Sequence, residues 1–310
     1  MKERVQFYIL SRDRPNFLKD AVDSVLNQNP SLVEFDLIIS DNSENEDVRK
    51  MIDRSYATGD LKYIRRKPAL SAEEHFRLVV SELSSKFAVL FHDDDVLCPD
   101  YMSIMLPLFK KNIVAIGCNG MTFTNSTLNV TGKMHNNLKA KEFDNEVDFL
   151  ERYLPGGGGI APYPGYMYLT RYLKQAFLNP SAKGKHSDVI ILSSLLNHGN
   201  ILWSEKSLMY YRVHESNDSV MENIPDRLVL LNYMKSKGIE KNSTNVLFFR
   251  ILFWLRWMSQ QGSFLSNLTC WRYRTVGLSV LFKIIRASGA SCFWKIILRR
   301  YFRRFRALFI

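Results

Sequence analysis

The chain has 310 residues, 46% hydrophobic and 13% aromatic, enough apolar material for a packed core and too much for a disordered chain. Its 42 Lys and Arg exceed its 31 Asp and Glu, for a net charge of +11, and no stretch of about 20 residues is both free of charge and predominantly apolar, which argues against a spanning helix. The cysteines, Cys98, Cys118, Cys270 and Cys292, show no C-x-x-C spacing and read as reduced thiols of a cytoplasmic protein rather than a disulfide frame or a zinc site.

The opening Met1-Lys2-Glu3-Arg4 runs straight into residues 5–10, a run of β-formers that predicts a first strand and not the h-region of a secretory signal. Ser11-Arg12-Asp13-Arg14-Pro15 breaks that strand. A helix follows, with Phe17, Leu18, Ala21, Val22, Val25 and Leu26 on one stripe. Residues 35–39 predict a second strand that stops at Ser40-Asp41-Asn42-Ser43, with a short helix over 48–52 and a third strand over 62–65. Residues 73–83 predict a helix, and 87–91 a strand that runs into Asp93, Asp94 and Asp95. Strand and helix alternate, with polar residues after each strand, which predicts an open, mainly parallel α/β sheet whose ligands sit outside the carboxyl ends of its strands. Asp13, Asp41 and Asp93–Asp95 then share one edge. Taken singly, Asp13 and Asp41 read equally well as helix N-caps, and the three aspartates as a solvated acidic turn. Adjacent like charges are costly, however, unless a cation sits among them, and a divalent metal with hard oxygen ligands is the obvious candidate.

Residues 101–109 predict a helix and 113–118 a strand; 119–150 read as a loop or small hairpin. Gly156, Gly157, Gly158 and Gly159 lie between Pro155 and Pro162. No Gly-Lys-Ser/Thr follows them and they lack G-x-G-x-x-G spacing, so they read as a mobile loop lining an acceptor cleft, or as a plain linker. A strand over 166–170 and a helix over 171–178 come next. Asp188 opens an apolar helical stripe, either as a first-turn acid favoured by the helix dipole or as a general base. Two short strands, 201–203 and 208–211, lead into Arg212 and His214, the latter a fair ligand for a metal or a phosphate.

Five stretches together resemble family 2 glycosyltransferases of the GT-A fold: F-Y-I-L-S-R-D-R-P-N-F-L at 7–18, L-I-I-S-D-N-S at 37–43, F-H-D-D-D-V-L-C-P-D-Y at 91–101, S-D-V-I-I-L at 187–192 and Y-R-V-H-E-S-N-D-S at 211–219. The resemblance covers residues 5–220. It implies a GT-A, Rossmann-like nucleotide-sugar-binding domain over 1–220 and a helical, basic extension over 221–310. It implies that Asp41 contacts the nucleotide base and that Ser11, Arg12 and Asp13 lie beside the nucleotide. The triple aspartate corresponds to the D-x-D element. Its register is open; Asp94 is taken for the metal with Asp95 in support, and Asp93 for the ribose. His214 would approach the metal or diphosphate, with Arg212 near it, and Asp188 would be the catalytic base. The implied cofactor is Mn²⁺ or Mg²⁺, the implied donor a UDP- or dTDP-sugar, and the implied chemistry direct displacement with inversion. Two positions depart from the family pattern: Ser187 stands where the base is usually preceded by Glu, and His75 replaces a common Asn, which bears on contacts to the sugar.

The excess charge is confined to the end of the chain. Residues 241–310 hold 13 of the 42 Lys and Arg and no acid. Residues 246–258 are apolar nearly all round but too short to span a bilayer. Phe293, Ile296, Ile297, Tyr301, Phe305, Leu308 and Phe309 share one helical face, with Lys295, Arg299, Arg303 and Arg306 mainly on the other. Basic plus aromatic on an amphipathic helix reads as attachment to an anionic membrane surface, or as docking on the protein itself; nucleic acid is the less fitting partner, because the charge shares its helix with large apolar residues. The combined expectation is a peripheral enzyme at the inner face of the cell membrane, extending a polyprenyl-linked glycan of the O-antigen or capsule type. The alternatives are a nucleotidyltransferase on a similar sheet, which would want a Gly-rich loop after the first strand, and an inactive membrane-bound scaffold.

Overall fold

A computed structural model describes residues 4–29, 34–57, 59–127, 129–136, 138–154, 160, 163–214, 224–239 and 246. The glycine run 156–159 and the basic segment after residue 246 lie outside them.

Four parallel strands form one half of the sheet: β1 (Arg4–Ser11), β2 (Glu34–Asp41), β3 (Lys62–Arg65) and β4 (Phe87–His92). After the short β5 (Val96–Leu97), the other half is built on β6 (Ile113–Phe123) and β10 (Asn200–Arg212), also parallel, with β7 (Val130–Lys133) and β8 (Lys141–Phe143) at their flanks. β9 (Tyr166–Leu169) joins the halves, running antiparallel to both β4 and β6. The strand order is β3-β2-β1-β4-β9-β6-β10-β5. At Gly117 of β6 a Cβ would stand 2.3 Å from the Tyr166 ring of β9, so only glycine lets the two strands close up.

Alternation along the strands sends side chains to two cores. Val5, Phe7, Ile9, Val89 and Phe91 meet α1 (Pro15–Leu26), α2 (Asp47–Ser55) and α4 (Tyr101–Met105). Tyr8, Leu10, Ala88 and Leu90 meet α3 (Ala72–Glu82), α5 (Glu146–Tyr153), α6 (Thr170–Ala176), α7 (Ser187–Leu195) and α8 (Ile224–Ser236). Local chemistry fixes the helix starts. Pro15 begins α1, where its missing N–H costs nothing. Ser71 and Glu74 form a reciprocal capping box on α3, and the Asn145 side chain accepts from Asp148 N–H at 2.8 Å to open α5.

Some elements differ from expectation. The helix predicted over 101–109 is α-helical only to Met105, and Leu106–Leu108 is a 3₁₀ turn containing Pro107, which cannot supply the helical hydrogen bond. Residues 119–150, expected to be a loop or small hairpin, begin with the hairpin of β6 and β7, which pair antiparallel, and also hold β8 and α5. The two short strands near 201–211 are one strand, β10, whose polar Glu205 and Lys206 are absorbed by register shifts rather than a turn. Helix α8, just past residue 220, packs on this body. Tyr233 donates to Glu146 Oε2 at 2.9 Å and accepts from Ser193 Oγ at 3.2 Å, and Lys237 pairs with Glu146 at 2.8 Å. Among the described residues no helix is long and apolar enough to cross a membrane.

Candidate active site

β1, β2 and β4 end at the same edge, because Ser11 pairs with Asp41 and Leu10 with His92. The loops after them interlock. Asn42 N–H donates to Ser11 O at 2.9 Å. Asp13 adopts φ +56°, in the left-handed region that Asp tolerates better than most residues. Its N–H donates to Ser43 Oγ at 2.7 Å and its Oδ1 accepts from Glu44 N–H at 3.1 Å. Arg12, Asp13 and Asp41 are thus brought to one edge.

Asp41 is fully buried. Oδ1 accepts from Ser43 N–H at 2.9 Å and from the Ser43 hydroxyl, and Oδ2 accepts from Tyr63 and Arg65. Behind it, Ser40 Oγ lies 2.7 Å from His75 Nε2 and accepts from Arg66 Nε at 2.9 Å, while Arg66 forks onto both oxygens of Glu82 at 2.8 and 2.6 Å. Burial, with the Arg66 charge, lowers the His75 imidazole to about 4, so this ring is neutral and serves Ser40.

The triple aspartate divides three ways. Asp93 Oδ2 accepts from Arg12 N–H at 3.0 Å, and Arg14 Nη1 lies 3.3 Å from Asp93 Oδ1 and 3.1 Å from Asp94 Oδ2. His214 Nε2 lies 2.9 Å from the same Asp94 oxygen. Asp95 Oδ1 accepts from Arg212 N–H at 3.0 Å, whereas Asp95 Oδ2 is buried without a hydrogen-bond partner. Burial raises Asp93 to about 6 despite the Arg12 N–H and Arg14. Burial also works against ionisation of Asp94, yet the imidazoles of His92 and His214 and the Arg14 guanidinium hold its carboxyl below the usual range. Burial and the Asp94 charge push Asp95 well up. An orphaned buried carboxylate oxygen beside an ionised neighbour is a donor set suited to a hard cation. One ligand atom each of His92, Asp94 and Asp95 lie within 4.8 Å of one another.

Arg212 reaches this turn from the end of β10. It is 2% exposed. Its guanidinium lies 4.4 Å from the Phe17 ring centre and 4.5 Å from that of Phe123. Nε donates to Asp94 O at 2.8 Å and Nη2 to Asp20 Oδ2 at 2.7 Å. Its engaged groups hold the backbone of the aspartate turn.

Asp188 opens α7, partly buried. Burial raises its carboxyl to about 6, against the pull of the Val189 N–H and its own N–H. Its charge is felt at Tyr163, whose ring packs 6.1 Å from Phe76, which in turn packs 5.9 Å from His92. A row of rings therefore connects the base candidate to the end of β4. Arg14, His92, Tyr63 and Arg65 were not singled out from the sequence. The R-x-R spacing after β1 and the histidine abutting the aspartates were the available signals.

The model of the family described as glycosyl transferase family 2 matches residues 7–171. No curated protein matches the sequence. Among solved structures, S. aureus TarS 1-349 in complex with UDP-GlcNAc superposes with a TM-score of 0.60 at 11% identity, over 92% of this chain and 81% of that one. The TarS 1-349 structure in complex with UDP gives 0.55 at 11% identity with the same coverage. The longer S. aureus TarS structure gives 0.56 at 10% identity, over 93% of this chain and 50% of that one. At such identities the likeness establishes the GT-A fold. The sequence match spans more than half of the chain and includes the ends of β1, β2 and β4, and the chain belongs to glycosyl transferase family 2.

Proposed function

We propose that the chain is a metal-dependent, inverting glycosyltransferase that moves a sugar from a nucleotide-diphosphate sugar to a hydroxyl of a lipid-linked glycan in surface-polysaccharide synthesis. The observation that carries this reading is the aspartate turn, with Asp94 ionised between Arg14 and His214 and Asp95 keeping a buried, unpartnered oxygen. Asp94 and Asp95 would hold the divalent cation; when bound, it neutralises charge on a departing diphosphate. Asp93 and the Arg12 and Asp13 loop face the nucleotide, and Asp41 sits at the end of β2 where the base is read. Asp188, at about 6, is tuned near the pH at which a general base works best. It takes the proton of the acceptor hydroxyl as that oxygen bonds to the anomeric carbon; the bond from that carbon to the diphosphate breaks, and its electron pair leaves with the phosphate. One displacement inverts the anomeric centre.

The UDP-GlcNAc and UDP complexes of TarS favour a uridine donor over a thymidine one. The amphipathic basic helix read over 293–309 supports a polyprenyl-linked acceptor and a peripheral position on the anionic inner face of the cell membrane. The test is nucleotide release from a panel of UDP- and dTDP-sugars with Mn²⁺ or Mg²⁺, with and without EDTA, and proton NMR of the product anomer. Metal-dependent release from a UDP-sugar with inversion is expected. A retained anomer, or turnover indifferent to EDTA, would overturn the proposal.

A further inference from the structure

The ligand atoms that come together at the aspartate turn are not those of three carboxylates. They belong to His92, Asp94 and Asp95, all within 4.8 Å of one another. That spread suits one cation, since metal bonds of about 2.0–2.2 Å to nitrogen and oxygen put opposite ligands roughly 4 Å apart. A second observation points to a ligand independently: Asp95 Oδ2 is buried and has no hydrogen-bond partner. The backbone is fixed on both sides of it, by the pairing of Leu10 with His92 across β1 and β4 and by Arg212 on Asp94 O and Asp95 Oδ1.

His92 is the last residue of β4 and shares the face of Ala88 and Leu90, because Phe87, Val89 and Phe91 fill the opposite core. Phe76 of α3 packs nearly perpendicular to its ring, with centroids 5.9 Å apart, which restricts the imidazole orientation. His214 stands differently. Its Nε2 is 2.9 Å from Asp94 Oδ2, an oxygen that Arg14 also approaches at 3.1 Å. An imidazole at hydrogen-bond distance from a ligating carboxylate orients that carboxylate and tunes it.

The geometry points to His92 as a direct ligand of the divalent cation, beside Asp94 and Asp95, with His214 hydrogen-bonded to Asp94 outside the ligand set. This rests on the reading of the turn as a cation site. An imidazole among carboxylates shifts preference away from Mg²⁺, which demands oxygen ligands, and toward first-row transition cations. The site therefore selects Mn²⁺, or a later member of that series, over Mg²⁺ through a residue outside the aspartate triplet.

The test uses the full chain, Mn²⁺ alone as probe, and pulsed electron paramagnetic resonance to detect nitrogen bonded to the ion. Wild type and His214→Gln should both show ¹⁴N modulation from a bound imidazole, and His92→Gln should lose it. Titration of free Mn²⁺ should show affinity falling in His92→Gln by at least the roughly 10–100-fold that loss of an outer-shell partner costs, while Mg²⁺ affinity, read by competition, changes less than about threefold. Wild type carries the test even if a variant fails to fold, since bound Mn²⁺ without ¹⁴N modulation overturns the assignment of His92 and leaves the cation site standing. Modulation that survives in His92→Gln and vanishes in His214→Gln also overturns it, in favour of His214. No Mn²⁺ binding by wild type would sink the assignment and the cation reading together.

Discussion

Arg212 Nη2 lies 2.7 Å from Asp20 Oδ2, although 192 positions separate the two residues. Asp20 belongs to α1 and Arg212 to the end of β10, so this contact, with that of Arg212 to Asp94 O, ties α1 and β10 to one turn. Lysine in place of Arg212 could not lie between Phe17 and Phe123 and serve both Asp20 and Asp94 O. Arg212→Lys should cost roughly 2–4 kcal/mol of stability. Asp20→Asn should cost less than about 1 kcal/mol, because Asp20 is half exposed and its pair is screened. Urea denaturation of the two variants measures the difference; equal losses would mean that the stacking and the Asp94 contact contribute little.

Asp188 gives a prediction about pH in which activity and stability move in opposite directions. Its carboxyl is raised to about 6 by burial, so in its proposed role as general base it is protonated below that pH and kcat/KM should fall about tenfold per pH unit on the acid side. Asp188→Asn should lower kcat by roughly 10²–10⁴ with nucleotide-sugar affinity unchanged.

The same carboxyl destabilises the fold at neutral pH. A folded-state pKa above the unfolded one gives stability that is present at low pH and lost as pH rises through about 6. Asp188→Asn should therefore be more stable than wild type by about 1–3 kcal/mol at pH 8 and indistinguishable from it near pH 4. Thermal melts at the two pH values check this; a variant less stable at pH 8 would show that the carboxylate is not strained where it sits.

Gly117 faces the Tyr166 ring at a distance no Cβ can share. Gly117→Ala should cost at least about 1–3 kcal/mol, the usual range for overpacking a core. Pairing it with Tyr166→Leu should recover part of the loss, read as non-additivity in a double-mutant cycle.

Deletion of residues 290–310 should release the protein from anionic liposomes while leaving donor hydrolysis in solution intact. Co-sedimentation with vesicles containing anionic lipid, compared with neutral vesicles, measures it. Unchanged sedimentation would assign that segment to protein docking instead.

The sequence was most legible where one local rule governs. Strands that end in Ser11, Asp41 and the aspartates sit where alternation of strand and helix put them, because parallel strands must expose their carboxyl ends together. The segment 119–150 was legible only as a loop or small hairpin: the hairpin is there in β6 and β7, but β7 and β8 are short and polar and are defined by the strands they flank. The antiparallel course of β9 has no local signature; it is dictated by neighbours on both sides, with Gly117 its one trace. Asp41 was legible as a strand-end acid, but its contacts with Tyr63 and Arg65 depend on the parallel register of β2 and β3. His92 was hidden because it continues the strand pattern into the aspartates, and only the sheet shows which face it takes. His75, noted as a departure near the sugar, lies against Ser40 in a buried polar cluster.

The dependence of the aspartate turn on β10 has a consequence for how the protein is made. Asp94 and Arg212 are 118 positions apart, which at translation rates of about 5–20 residues per second amounts to roughly 6–24 s of synthesis. Throughout that interval the emerging half-sheet carries adjacent carboxylates with neither Arg212 nor His214 to restrain them. A nascent chain stopped before residue 200 would own every acid of the turn and lack both of these contacts to Asp94, so the turn is completed with β10 rather than built up along the way.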